Sequence, residues 1–156
     1  MYKRILVPID GSRTSMLGLK EAIRLAKACK AKLRLIHVVD ESVVLQDSVH
    51  TFGTTDMLGI LKKGGQESLK RALDLVARQG VKAESGLIES FTGRVAEIVV
   101  RDAKKWRADL IVMGTHGRRG FSHMVMGSDA EMVIRSTPVP VLLVRGSKLA
   151  KRRRAK

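Results

Sequence analysis

Four stretches of this chain, 4–9 (RILVPI), 33–39 (LRLIHVV), 109–113 (DLIVM) and 139–144 (VPVLLV), are of strand length and almost uninterrupted in apolar residues. A strand with one wet face alternates polar and apolar residues, so a continuous run must be covered on both faces. Segments with helical spacing separate the runs. Parallel neighbours need a crossover, and right-handed crossovers place their helices on both sides of the sheet. The pattern therefore predicts a single-domain α/β fold: an open five-stranded parallel sheet with helices on both faces. A weaker stretch at about 82–89 supplies the remaining strand.

The helices are read from apolar residues three and four apart. The first is expected over about 15–30, with Ser12 as its cap and Leu19, Ala22, Ile23 and Ala26 turned inward. A segment without clear period, about 40–56, reads as a long loop. The second helix carries Leu58 and Leu61, then Leu69, Ala72, Leu73 and Val76. It is expected to break or bend at Gly64 and Gly65 and to stop at Gly80. The third follows Gly93, with Val95, Ala96, Val99 and Ala103 inward. The last runs over about 128–135, where Ser128-Asp129-Ala130-Glu131 has the form of a capping box.

Charge separates the end of the chain from its body. Thirty Lys and Arg against fifteen Asp and Glu give +15, and the last nine residues hold six of these charges without an acid, leaving +9 for the rest. The sequence divides into one folded domain, 1–146, and a basic tail, 147–156, expected to be disordered. Such a balance points to an anionic partner, with weak, non-specific polyanion binding by the tail. Aromatic residues make up 3% of the chain, which disfavours a stacking platform for single-stranded nucleic acid. The lone Cys29 excludes a disulfide scaffold or a Cys-built zinc site and fits a cytoplasmic chain. No apolar run approaches the roughly 20 residues of a membrane span, and the opening MYKRILVPID lacks the form of a secretory signal.

In open parallel sheets, ligands bind beyond the carboxyl ends of the strands, where strand order reverses. The first strand ends in Asp10-Gly11-Ser12, a carboxylate at the mouth of that crevice. The fourth ends in Gly114-Thr115-His116-Gly117-Arg118-Arg119-Gly120, and Gly127-Ser128 follows at a helix start. Glycines allow close backbone approach to an anion, the helix N-terminus adds partial positive charge, and Arg118 and Arg119 add full charges. This is the composition of a phosphate cradle. The P-loop GxxxxGK[ST], the dinucleotide GxGxxG, HExxH and GxSxG are all absent. Gly117-Arg118-Arg119-Gly120 matches the short GXXG loop of KH modules, but the buried strand before it is the wrong context. His116, His123, His37 and Cys29 read as surface or packing residues, and no catalytic residue is assigned.

The spacing G-x2-G-x9-G-[ST], filled by Gly114, Gly117, Gly127 and Ser128, resembles the ATP-binding signature of the universal stress protein family. Asp10-Gly11-Ser12, His37-Val38 and the closing 138–144 (PVPVLLV) occur in that family's order, over about residues 2–145. The resemblance implies a Rossmann-like fold that binds adenine nucleotide, is usually dimeric and is linked to stress survival. By position, Asp10 would contact the nucleoside and the Val38 main chain the adenine edge. Gly114, Gly117, Gly127 and Ser128 would hold phosphates and ribose. Two residues depart from the family pattern: Arg94 stands where Pro is common, and Asp129 where an apolar residue is common. Asp129 would either weaken nucleotide binding or help hold a divalent cation. The implied cofactor is ATP, with or without Mg²⁺, in a cytoplasmic regulatory module acting through nucleotide-dependent conformation or partner binding. A slow ATPase and a tail-driven nucleic-acid binder stand as alternatives. The last strand, apolar and at a sheet edge, is expected to pair with its copy in a homodimer.

Overall fold

The structure, a computed structural model, describes residues 1–42, 54–91, 94–115 and 126–146, with side chains for all of these but 54–56. Its elements alternate along the chain. They are β1 (Arg4–Pro8), α1 (Arg13–Cys29), β2 (Lys32–Asp40), α2 (Thr54–Arg78), β3 (Ala83–Ser90), α3 (Val95–Trp106), β4 (Leu110–Gly114), α4 (Ser128–Ser136) and β5 (Val141–Val144). The five strands form one parallel sheet in the order β3-β2-β1-β4-β5. The expected architecture is the one observed.

The side-chain period of two explains why both faces are dry. Ile5, Val7, Leu33, Leu35, Leu110 and Val112 point to one face, where α1 and α2 cover them with residues that include Leu19, Ala22, Ala72 and Val76. Leu6, Ile36, Ile111 and Met113 point to the other, under α3 and α4. Cys29 is half-buried against the first cluster. A charged residue inside β2 is accommodated on the second face: Arg34 forks onto Asp102 of α3 at 2.6 and 2.9 Å and also reaches Glu84 of β3 at 3.1 Å. That bidentate pair fixes α3 over the β2–β3 side of the sheet.

Local signals set the helix ends. Ser12 caps α1, its side chain accepting from the Ser15 N–H at 3.1 Å, and Lys30 ends the helix in the left-handed region at φ 54. Arg107 does the same for α3 at φ 56.

Three local expectations are corrected. The helix α2 is continuous through Gly64 and Gly65 and starts at Thr54, inside the stretch read as loop. Gly65 is there for proximity rather than for a bend. A Cβ at Gly65 would lie 2.6 Å from His37 Cδ2 and 2.8 Å from Leu87 Cδ1, so the glycine lets α2 settle directly on β2 and β3. Ser128 is not a cap. Gly127 holds that position with extended backbone and no side-chain cap bond, Ser128 is already helical, and Glu131 pairs with Arg135 at 2.9 Å.

Candidate functional site

Strand order reverses between β1 and β4, and in open parallel sheets the crevice beyond the carboxyl ends at such a reversal is the place for a ligand. At the end of β1, the Ile9 N–H donates to the Ile36 carbonyl at 2.8 Å. Asp10 follows, half-buried, and its Oδ1 accepts from the Ser12 N–H at 2.8 Å. This Asx turn redirects the chain into α1 and holds the carboxylate at the crevice mouth. Gly11 takes φ +79, a conformation glycine adopts without strain, and a Cβ there would meet Ser68 Oγ at 2.9 Å.

On one side of Asp10, β2 runs on after β1 has ended, because the pairing stops at Pro8↔Ile36. Within a parallel strand the N–H and C=O of one residue face the same neighbour, and successive residues alternate. The Ile36 carbonyl faces β1, so the main chain of Val38 faces that side too, past the last paired residue. The Ile9 carbonyl, which could have met it, instead accepts from His37 Nδ1 at 2.7 Å. His37 is thus a packed residue, as expected, and it leaves Val38 presenting a peptide edge to the crevice.

On the other side, β4 ends at Gly114 and Thr115. The Thr115 N–H donates to the Val144 carbonyl at 3.0 Å, and the Thr115 carbonyl accepts from the Gly127 N–H at 2.8 Å. The chain therefore leaves β4 and re-enters at α4 within one hydrogen bond, which sets the N-terminus of α4 beside the carboxyl end of β4. Ser128 and Asp129 are exposed in its first turn. Gly117, Arg118 and Arg119, assigned to the same cradle, lie outside the described residues, as do His116 and His123. Asp10, Val38, Gly114, Gly127 and Ser128 are brought to one end of the sheet. Gly114 also has a purely structural duty there, since a Cβ would come within 2.8 Å of the Thr14 carbonyl carbon. Among the described residues no three His, Cys, Asp or Glu side chains cluster as a metal site.

A polar group near the crevice escaped the sequence reading, because its members come from three distant segments. Glu41, just past β2, is buried; its N–H donates to the Ser90 carbonyl at 2.8 Å, while Oε1 has no hydrogen-bond partner among the described residues. Lys62 of α2 lies 3.9 Å from that atom and 3.0 Å from Glu89. Burial, then the neighbouring Glu89 carboxyl, push the Glu41 carboxyl above the ordinary range, whereas the Lys62 hydrogen bond lowers Glu89. A carboxyl raised by folding contributes stability while protonated and loses it as pH rises through the folded value. Glu41→Gln should therefore raise Tm at pH 8, with the gain fading towards pH 4. Thermal melts across that range check it, and a gain that grows on acidification would reverse the assignment.

A doubly covered parallel sheet whose strand order reverses between β1 and β4 defines a Rossmann-like α/β domain. Within that class the chain belongs to the universal stress protein family, which matches it over residues 1–145. It is 38% identical over 149 residues to universal stress protein MJ0531 of Methanocaldococcus jannaschii, covering 95% of this chain and 85% of that protein. Universal stress protein YxiE of Bacillus subtilis is 34% identical over 151 residues, covering 93% of this chain and all of that one. Of solved structures, the hypothetical protein MJ0577 superposes with a TM-score of 0.82 at 25% identity, over 95% of this chain and 99% of its own. Two more distant structures share the fold and hold adenine nucleotides. A universal stress protein in complex with cAMP has a TM-score of 0.64 at 22% identity, over 94% and 98% of the two chains. An Arabidopsis thaliana family member with AMP bound has 0.68 at 13%, over 95% and 94%.

Proposed function

We propose that this chain is an adenine-nucleotide-binding regulatory module of the stress response, with ATP as its ligand and altered shape or partner choice as its output. The observation that carries the reading is the convergence at the β1–β4 reversal: the Asp10 carboxylate, the open peptide edge of Val38 and the N-terminus of α4 meet at one end of the sheet. Each suits a different part of the ligand. The carboxylate would accept from ribose hydroxyls, the Val38 N–H and C=O would pair with the edge of adenine, and Gly127 and Ser128 would offer main-chain donors to phosphate. Gly117, Arg118 and Arg119 complete the cradle in this reading, and Asp129 stands near enough in sequence to serve a phosphate-bound Mg²⁺.

The test makes no assumption about activity. Purified protein is denatured and the released small molecules are identified by mass spectrometry, with calorimetry against ATP, ADP, AMP and cAMP alongside. Recovery of ATP, or its tightest binding, is the expected result. A released pool of ADP alone would favour slow hydrolysis, and failure of every adenine nucleotide to bind would end the proposal.

The same reading makes the protein a cytoplasmic homodimer joined through β5. That strand lies at the sheet edge with all four residues half-buried, and the adjacent α4 exposes Met132 and Ile134. Pairing two copies about a twofold axis would cover the free edge. Sedimentation at micromolar concentration is expected to show a dimer, and a monomer would refute the β5 interface. Among the described residues, no helix is long and apolar enough to cross a membrane.

A further inference from the structure

The parallel sheet gathers all strand starts and helix ends at the pole opposite the crevice, and that pole is rich in cations. Three hydrogen bonds lay the strand starts side by side. The Leu33 N–H donates to the Lys82 carbonyl, the Lys32 N–H to the Lys3 carbonyl, and the Asp109 N–H to the Arg4 carbonyl, each at 2.9 Å. Lys82, Lys32, Lys3 and Arg4 thus form a row across β3, β2 and β1 at a strand spacing of about 4.8 Å. All four are exposed. The helix ends flank the row: Lys27, Lys30 and Arg78 from α1 and α2 on one face, Lys104, Lys105 and Arg107 from α3 on the other, all exposed.

Helix dipoles favour cations in last turns, which accounts for part of the flank but not for the row. Few of these charges are neutralised locally. Among the described residues only Lys32 in this set has a carboxylate partner, Glu84. The Asp109 carboxylate is taken by the main-chain N–H groups of Lys3 and Arg4, at 2.7 and 3.1 Å. Lys27 donates to the neutral Gln79 amide at 2.6 Å. Arg4 is held over the Trp106 ring at 4.5 Å, which keeps its guanidinium in place at the surface.

We infer that this pole is a docking surface for the sugar-phosphate backbone of a nucleic-acid duplex. The match is one of charge: a two-dimensional field of mostly lysine cations meets a surface carrying one negative charge per about 1.7 Å of helix axis. The surface offers nothing for unstacked bases, since Trp106 is buried beneath Arg4. Insertion into lipid is equally ill supplied, because Met1 and Tyr2 are the exposed large apolar residues here, while Phe91 lies at the other end of the sheet. Contacts of this kind position a protein without reading sequence. They also place polyanion binding on the body of the domain, independent of the tail and of the nucleotide crevice.

The test uses the full-length chain and a mixed-sequence DNA duplex of about 30 bp, with affinity followed by fluorescence anisotropy over a series of salt concentrations. One variant combines Arg78→Glu, Lys82→Glu, Lys104→Glu and Lys105→Glu. A control changes the same charge on the outer helix faces: Lys20→Glu, Lys63→Glu, Lys70→Glu and Arg101→Glu. None of the four pole side chains makes a hydrogen bond or ion pair among the described residues, so the fold should survive; the corresponding Lys/Arg→Gln set replaces it if circular dichroism shows otherwise.

The pole variant is expected to bind at least tenfold more weakly than the control set, with a salt slope lower by about 2 or more, and with ATP affinity unchanged. Equal weakening in both sets, or wild-type binding by the pole variant, overturns the inference. So does pole-dependent binding to phosphatidylserine vesicles without binding to the duplex, which would assign the surface to lipid.

Discussion

Replacing Gly114 with alanine should destabilise the fold by about 2–3 kcal/mol, and with valine by more, to the point of insolubility. The Cβ would stand 2.8 Å from the Thr14 carbonyl carbon, 2.9 Å from its oxygen and 3.0 Å from Thr14 Cβ. Two of these atoms are backbone, in the first turn of a helix whose start is pinned by the Ser12 cap. The helix cannot retreat locally, because Gly18, one turn on, sits against the same strand: a Cβ there would be 3.3 Å from the Gly114 nitrogen. Gly18 and Gly114 are the two halves of one close approach. Gly64→Ala provides the contrast, since its Cβ meets nothing within 4 Å. In a helix interior, that change should stabilise by about 0.5–1 kcal/mol. Denaturant midpoints measure both, and an unshifted midpoint for Gly114→Ala would leave the phosphate cradle as the sole reason for this glycine.

Asp10→Asn is expected to lower ATP affinity about thirtyfold, roughly 2 kcal/mol, with little change in stability. An amide oxygen can still accept from the Ser12 N–H, so the turn into α1 persists while the charge-assisted bond proposed to a ribose hydroxyl would be lost. Asp10→Ala removes both, and should weaken binding further and also lower Tm. Calorimetry with ATP on the folded asparagine variant is the decisive measurement. Affinity within threefold of wild type would reduce Asp10 to a turn former.

The sheet and its helices could be read from the sequence because burial on both faces leaves a one-dimensional trace: DLIVM and VPVLLV have no polar face to show. The places of Asp10 and Gly114 at one end of the sheet could be read for a related reason, since each lies at the end of a strand that an apolar run marks. Contacts between distant segments left no such trace. Gly65 looked like a helix breaker because its partners, His37 and Leu87, are remote in sequence, and a glycine needed for proximity has the same letter as one needed for a bend. Glu41, Lys62 and Glu89 were invisible as a group for the same reason. Ser128 misled in another way: Ser-x-x-Glu ahead of a helical pattern reads as a capping box, and only backbone geometry shows that Gly127 holds the cap and Ser128 is the first helical residue.

The unequal pairing along the sheet gives the domain a mechanical character. β2 and β3 are matched over eight residue pairs, whereas β1 and β4 are matched only at Ile5↔Leu110 and Leu6↔Ile111. The sheet is in effect two plates, β3-β2-β1 and β4-β5, joined by a short weld of two residue pairs at the cation-rich end. Helix α1 bolts them together: it springs from β1 on one plate and bears on β4 of the other through the Gly18–Gly114 contact. In the proposed complex, a ligand reaching from the Val38 edge to the start of α4 would bridge the two plates at the end where β1 and β4 are not paired. Its length would then bear on their angle, so that loss of a phosphate would be felt as a change in twist about the weld, far from any bond that was broken.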